Sequence, residues 1–238
     1  MRIGTMAVRA LLATTAVLVW SCSSPTETGV LGNGTFQYLC TGSGDQACAG
    51  QTSGTDIDLP ATPVAVGATF QVFYSPTSSN GVGTVEGDNG YGIVPASTEI
   101  AETSGNTIKA LKAGYVTLLA QRSGVATVDD FVYVKFEPVG SITVSPSSLS
   151  LLGGDSQPVS VVAADALGGP LDGQIDCQWQ VASGASAVTL QSTSGPATTV
   201  QGVTDGTATL HVTCGTASAD VQVTVSGAPA AMDGGTNG

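Results

Sequence analysis

The chain has little of what enzymes are commonly built from. It holds one histidine, His211, and 6 lysines and arginines against 18 aspartates and glutamates, with aromatic residues at 5%. A histidine-based triad needs its imidazole beside an activated nucleophile and an orienting acid. His211 instead alternates with Leu210 and Val212, which turns it away from the apolar side of its run. Neither a Gly-x-Ser-x-Gly elbow nor a Gly-x-x-x-x-Gly-Lys phosphate loop occurs. Zinc sites take three or four ligands at characteristic spacing, which a single histidine beside paired cysteines does not supply. These absences exclude the common routes to catalysis, and the expectation is a chain that is not an enzyme and takes no metal or cofactor.

Carboxylates are the remaining candidates for chemistry. Glu86-Gly87-Asp88-Asn89 lies in a glycine-rich stretch, Asp56 and Asp58 share one face of a short run, and Asp129-Asp130 precede another. Calcium takes six to eight oxygens, and no EF-hand or nonapeptide repeat is present to gather them, so these acids read as solvated loops. A carbohydrate-active hydrolase using paired acids ranks last among the functions considered, because no aromatic cleft is visible.

Basic residues are scarce as well. The formal net charge is −12. Without Arg2 and Arg9 of the leader described below, only Lys109, Lys112, Arg122 and Lys135 face the same 18 acids, for −14. Such acidity argues against nucleic acid and against an anionic membrane face as partner.

Long apolar runs are also missing. Ala10 to Trp20 carries no charge, but a membrane-spanning helix needs about 20 apolar residues. A positive start at Arg2 and Arg9 followed by a short apolar core is the pattern of a secretory leader. The core ends in Val19-Trp20-Ser21-Cys22, after which the sequence turns to Ser-Ser-Pro-Thr-Glu-Thr-Gly. That ending resembles the lipobox of bacterial lipoproteins, with Trp20 where the family usually has a smaller residue. The resemblance implies cleavage before Cys22, lipidation of Cys22, and a lipid anchor in a membrane leaflet. Ser23 after the cysteine implies passage to the outer membrane of a Gram-negative cell envelope. An ordinary secretory leader with an incidental Cys22 is the alternative.

What is abundant is turn-forming and β-branched. Glycine (32 residues), serine, threonine and valine separate and fill short apolar runs, which predicts an all-β protein. Phe70, Val72 and Tyr74 share one face of a period-two run. Gly114–Ala120 and Phe131–Phe136 form the clearest pair of strands, with Phe131, Tyr133 and Lys135 on one face and Val132, Val134 and Phe136 on the other. Val116-Thr117-Leu118-Leu119-Ala120 parallels Ala208-Thr209-Leu210-His211-Val212 at an offset of 92 residues, with Gly114 and Gly206 in step and Phe131 matched to Val223. Sandwich domains run to about 100 residues, so the repeat predicts two tandem β-sandwiches. The expected division is a signal peptide (1–21), a flexible tether (22–34), a first sandwich (35–137), a second (138–226) and a disordered tail (227–238), with Pro138-Val139-Gly140 as the joint. Four cysteines remain besides Cys22, an even number that suits an oxidising compartment. Proximity and the domain division suggest Cys40–Cys48 and Cys177–Cys214; two buried free thiols in the second sandwich are the alternative.

The second sandwich carries several motifs in a familiar order. They are Ile142-Thr143-Val144-Ser145-Pro146, Gly153-Gly154, Ala164-Asp165-Ala166-Leu167-Gly168, Cys177-Gln178-Trp179, Gly206-Thr207-Ala208-Thr209-Leu210 and Val221-Gln222-Val223-Thr224-Val225. Over Gly140 to Ser226 the chain resembles the bacterial Ig-like domains of group 2, the type found in intimin and invasin; the first sandwich keeps the second half of the pattern. The resemblance implies Ig-like sandwiches and, by analogy, binding, adhesion or envelope structure. The alternative is an accessory part of a secretion or polysaccharide-export machine. The ligand, protein or glycan, is not specified, and loops Ser75–Gly90 and Ser183–Ala187 are the expected contact points.

Overall fold

A computed structural model describes residues 29–42, 44–77 and 90–227. The first sandwich contains β1 (Gly34–Leu39), β2 (Asp56–Asp58), β3 (Val64–Ala65), β4 (Thr69–Pro76), β5 (Tyr91–Pro95), β6 (Ala101–Ser104), β7 (Thr107–Ala110), β8 (Gly114–Arg122) and β9 (Val128–Glu137). Its sheets run β2-β1-β4-β7-β6 and β3-β9-β8-β5. The second contains β10 (Ser141–Ser145), β11 (Ser148–Leu152), β12 (Ser156–Ala164), β13 (Cys177–Ser183), β14 (Val188–Leu190), β15 (Ala197–Gly202), β16 (Gly206–Cys214) and β17 (Ala217–Ser226). Its sheets run β10-β12-β15-β14 and β11-β17-β16-β13. Among the described residues no helix is long and apolar enough to cross a membrane.

The two strand orders superpose term by term once β2 is set aside. In each sandwich the first strand pairs antiparallel in one sheet, and the next crosses to run parallel to the last strand of the other: Val64 lies opposite Phe136, and Leu151 opposite Val225. The protein is therefore all-β, two tandem Ig-like sandwiches with one topology. Gly114 and Gly206 open equivalent strands at φ +137° and +152°, a region side-chain-bearing residues rarely enter.

The repeat is in step along β8 and β16 but not beyond. Leu118 pairs with Val132, and Leu210 with Val221. The leucines are 92 residues apart and the valines 89, because Gly215-Thr216 makes a tighter turn than residues 123–127. Val223 is buried in the core, whereas Phe131 points outward, so the Phe131–Val223 match does not hold. Ile100 and Ala101 bond back to the Ser97 carbonyl as a turn, and β6 starts at Ala101. Alternating Leu149 and Leu151 form β11, which sequence reading passed over.

The cores differ in kind. Phe36, Tyr38, Phe70 and Phe136 fill the first, with Tyr38 stacked on Phe70 at 5.8 Å and Phe136 edge-on to it at 6.0 Å. The second is aliphatic around Trp179, whose Nε1 donates to the Gly195 carbonyl at 2.9 Å. Cys177 and Cys214 lie directly opposite on β13 and β16 and are bonded to each other, as are Cys40 and Cys48.

Most of the expected tether, and the whole tail after Gly227, lie outside the described residues. The described part of the tether is docked. Asp130 is fully buried and accepts from the backbone N–H groups of Leu31, Asn33 and Phe131, each at 2.8 Å. The Val30 N–H donates to the Phe131 carbonyl at 2.9 Å.

Candidate functional site

Alternation along β8 and β9 decides what each side of their sheet shows. Val116, Leu118, Val132 and Val134 point into the core; Tyr115, Thr117, Leu119, Phe131, Tyr133 and Lys135 point out. Pairing sets Tyr115 opposite Lys135, Thr117 opposite Tyr133 and Leu119 opposite Phe131, with Val94 of β5 opposite Leu119. The outward side chains form one continuous surface. Tyr115 is 66% exposed and Tyr133 58%. Phe131 meets Tyr133 edge-on at 5.6 Å, and the Lys135 ammonium lies 5.9 Å from the Tyr115 ring centroid. Grouped apolar exposure of this kind marks interaction sites more often than scattered apolar residues do. Tyrosine suits such a surface, since it presents a large rigid ring and a hydroxyl for hydrogen bonding.

The same sheet position in the second sandwich is chemically opposite. Thr207, Thr209 and Thr213 of β16 and Ser218, Gln222 and Thr224 of β17 face out, and none is aromatic. His211 lies in that face, half-buried, with Nδ1 at 2.6 Å from Asp220 Oδ1 and no nucleophile beyond the Thr213 hydroxyl at 3.3 Å from Nε2.

The aromatic face is held by its own paired strands, and the two sandwiches meet at a separate joint. In the second, β10 and β11 are joined directly through Pro146-Ser147. In the first, the equivalent connection is expanded to residues 40–63, which contain the Cys40–Cys48 bridge, a short 3-10 turn at Gln46–Cys48 and β2. This insertion leans on the second sandwich. Gln46 Nε2 donates to the carbonyls of Ala163 at 2.5 Å and Leu171 at 3.3 Å. From the other side comes the loop 165–176. Asp165 starts it by accepting from the N–H groups of Leu167 and Gly169, both at 2.8 Å, and those bonds hold its carboxyl below the usual carboxylate range. The loop then adds to the first sandwich as a strand would. Ala65 N–H donates to Asp172 O, Asp172 N–H to Pro63 O, and Thr69 and Gln174 exchange bonds of 2.9 and 2.8 Å. Gly173 fits at φ +93°, where a Cβ would lie 2.9 Å from that of Ala68. The expected joint at Pro138-Val139-Gly140 is thus one part of a wider contact. Val139 is itself buried, and Gly140 bonds to the Ala164 carbonyl at 2.9 Å.

Two carboxylates are buried in that contact, Asp45 at 5% exposure and Asp172 at 2%. Asp45 caps the 3-10 turn by accepting from Ala47 N–H at 3.1 Å, and also accepts from Gly173 N–H at 3.0 Å and the Tyr38 hydroxyl at 2.5 Å. Asp172 accepts from the Thr62 hydroxyl. Burial, reinforced by the charge of Asp45, pushes the Asp172 carboxyl up to about 7. Burial first, then the neighbouring Asp45, raises the Tyr38 hydroxyl beyond its ordinary range. A cleft of about 520 Å³ opens between the insertion and β12, lined by Gln46, Gln51, Ser53, Ser160 and Val162 with Asp45 as its one acid. It does not present the two converging, solvent-reached carboxylates that glycoside hydrolysis needs.

The remaining residues singled out from sequence are scattered. Asp56 and Asp58 are exposed on β2, and Asp129 accepts from the Tyr91 hydroxyl. Among the described residues no group of three or more histidines, cysteines or acids is placed to hold a metal. Cys22 and Glu86-Gly87-Asp88-Asn89 lie outside the described residues, as does most of the loop Ser75–Gly90. In the loop Ser183–Ala187, Ala187 is buried, and Gly184 presses on the Thr207 backbone, where a Cβ would come within 2.0 Å. Sequence reading set Phe131, Tyr133 and Lys135 on one strand face; which face meets solvent is settled by how the sheets pack.

No family model matches the chain, and no curated protein matches it. Solved structures do. The S-layer protein rSbsC(31-844) is 16% identical at a TM-score of 0.33, over 75% of this chain and 25% of that one. The D00-D0 domain of intimin is 12% identical at 0.30, over 70% and 96%. The Yersinia pseudotuberculosis adhesin InvE is 13% identical at 0.32, over 70% and 56%. The chain thus matches about a quarter of the S-layer protein's length. Such identities and scores say nothing about ligands, and function has to be read from this chain's own side chains.

Proposed function

We propose that the chain is an extracytoplasmic lipoprotein of a bacterial cell envelope, anchored through lipid on Cys22, whose paired Ig-like sandwiches bind a partner without transforming it. The observation that carries the reading is the exposed tyrosine face of β8 and β9, held by strands and not by a loop. The leader, the cysteine at its end and the group 2 motifs supply the placement. A protein or a glycan suits the face, and its role is adhesion or envelope structure.

A second reading draws on the same surface. A permanent partner in an envelope machine also needs an apolar patch of this kind, which makes an accessory role in secretion or polysaccharide export the runner-up. Cross-linking in intact envelopes separates the two. One stoichiometric envelope protein captured through the β8–β9 face indicates the machine. Binding of the isolated protein to foreign cells or glycans, lost on Tyr115→Ser/Tyr133→Ser, indicates adhesion. Neither capture nor binding through that face would overturn both readings.

A further inference from the structure

We propose that the contact between the two sandwiches is a proton-operated latch, closed when Asp172 carries a proton and loosened when Asp172 is ionised. Both carboxylates are buried where the insertion of the first sandwich meets the loop 165–176 of the second. The backbone bonds that join the sandwiches run through the same residues: Asp172 bonds to Pro63 and Ala65, and its neighbour Gly173 donates to Asp45.

The titratable groups that act on Asp172 are Asp45, from the 3-10 turn, and Tyr38, from β1; Thr62, from the segment before β3, supplies a neutral donor. Among the described residues no ion pair offsets them. Lys109 lines a cleft beside Gln174 and Asp176 but is turned to Glu102 at 3.8 Å, and the other ion pairs of the described residues involve neither Asp45 nor Asp172. Two like charges in a low-dielectric contact repel far more strongly than in water.

The sign follows from which state holds the proton more tightly. Asp172 keeps its proton up to about 7 in the closed contact, and in the open one it reverts towards the ordinary value of 3.8. Closure is fully supported below the ordinary value, weakens by up to about tenfold per pH unit as pH rises towards the closed-state value, and levels off above it.

The test is amide hydrogen exchange of the full chain at about pH 4.5 and about pH 7.5, corrected for intrinsic rates. The amides to follow are those of Ala65, Thr69, Asp172 and Gln174, with Leu118 and Leu210 as core references. The latch predicts that joint protection falls by about tenfold or more between the two pH values while the core references hold. Asp172→Asn, which keeps a neutral acceptor for Thr62, should remove most of that fall. Wild-type joint protection that is flat across the range would overturn the proposal, as would a folded Asp172→Asn chain that keeps the full pH dependence. Should the variant not fold, the wild-type series decides the question by itself.

Discussion

The two sandwiches share a strand order and differ in what closes each core and what each shows outside. The first packs five aromatic rings inside, those of Phe36, Tyr38, Phe70, Tyr74 and Phe136, and turns Tyr115, Phe131 and Tyr133 out; the second relies on Trp179 and a bridge between neighbouring strands, and shows threonine, serine and glutamine. Their bridges differ too. Cys177–Cys214 ties β13 to β16 across 37 residues, whereas Cys40–Cys48 closes 8 residues inside the insertion that meets the other sandwich. One topology thus carries two different cores and two different outer faces. The difference lies in side chains and in the lengths of connections, above all the one at residues 40–63, since backbone architecture by itself leaves function open.

The largest expected effect sharpens that contrast. Removing both cysteines of the second bridge should cost about 4 kcal/mol, and removing both of the first about 2.5 kcal/mol, from the chain-entropy cost of the loops they close. Urea unfolding of the two double variants, read by Trp179 fluorescence and by circular dichroism, checks the order. Equal losses, or a larger loss for Cys40 and Cys48, would mean that the short bridge does more than close its loop. Next is Asp130→Ala, which strips three backbone donors of their acceptor and should cost about 1–2 kcal/mol. Exchange protection at Leu31 and Asn33 should go with it, while the second sandwich stays unchanged. The smallest effect on stability belongs to the exposed face: Tyr115→Ser/Tyr133→Ser should shift unfolding by no more than about 0.5–1 kcal/mol. A larger shift would make the tyrosines part of the scaffold.

Much of the scaffold was legible because it is periodic. Phe70, Val72 and Tyr74 recur at every second position and are all buried; Cys177 and Trp179 share a strand side and lie opposite Cys214 and Val212. His211 turns out of the core, as its alternation with Leu210 and Val212 requires. Beyond Pro138-Val139-Gly140, the joint was not legible. Gln46 and Ala163 are 117 residues apart, and the glycine-rich run around Asp45 looks like any surface loop until the other sandwich is set beside it. Nothing in the immediate neighbourhood of Asp172 sets it apart from the other acids, because burial by a distant segment is what changes its chemistry. The repeat was half-legible. Spacing holds along a strand, but a turn can absorb three residues without altering the fold, and this moved Phe131 from the core position of Val223 to the surface.

The central claim is that the molecule makes contact through the β8–β9 face of its first sandwich. Cross-linking yield in intact envelopes tests this most directly, comparing wild type, Tyr115→Ser/Tyr133→Ser, and Thr209→Ala/Gln222→Ala on the matching face of the second sandwich. The tyrosine variant should lose the partner while the second-sandwich variant captures it as wild type does. Undiminished capture by a folded tyrosine variant would contradict the account.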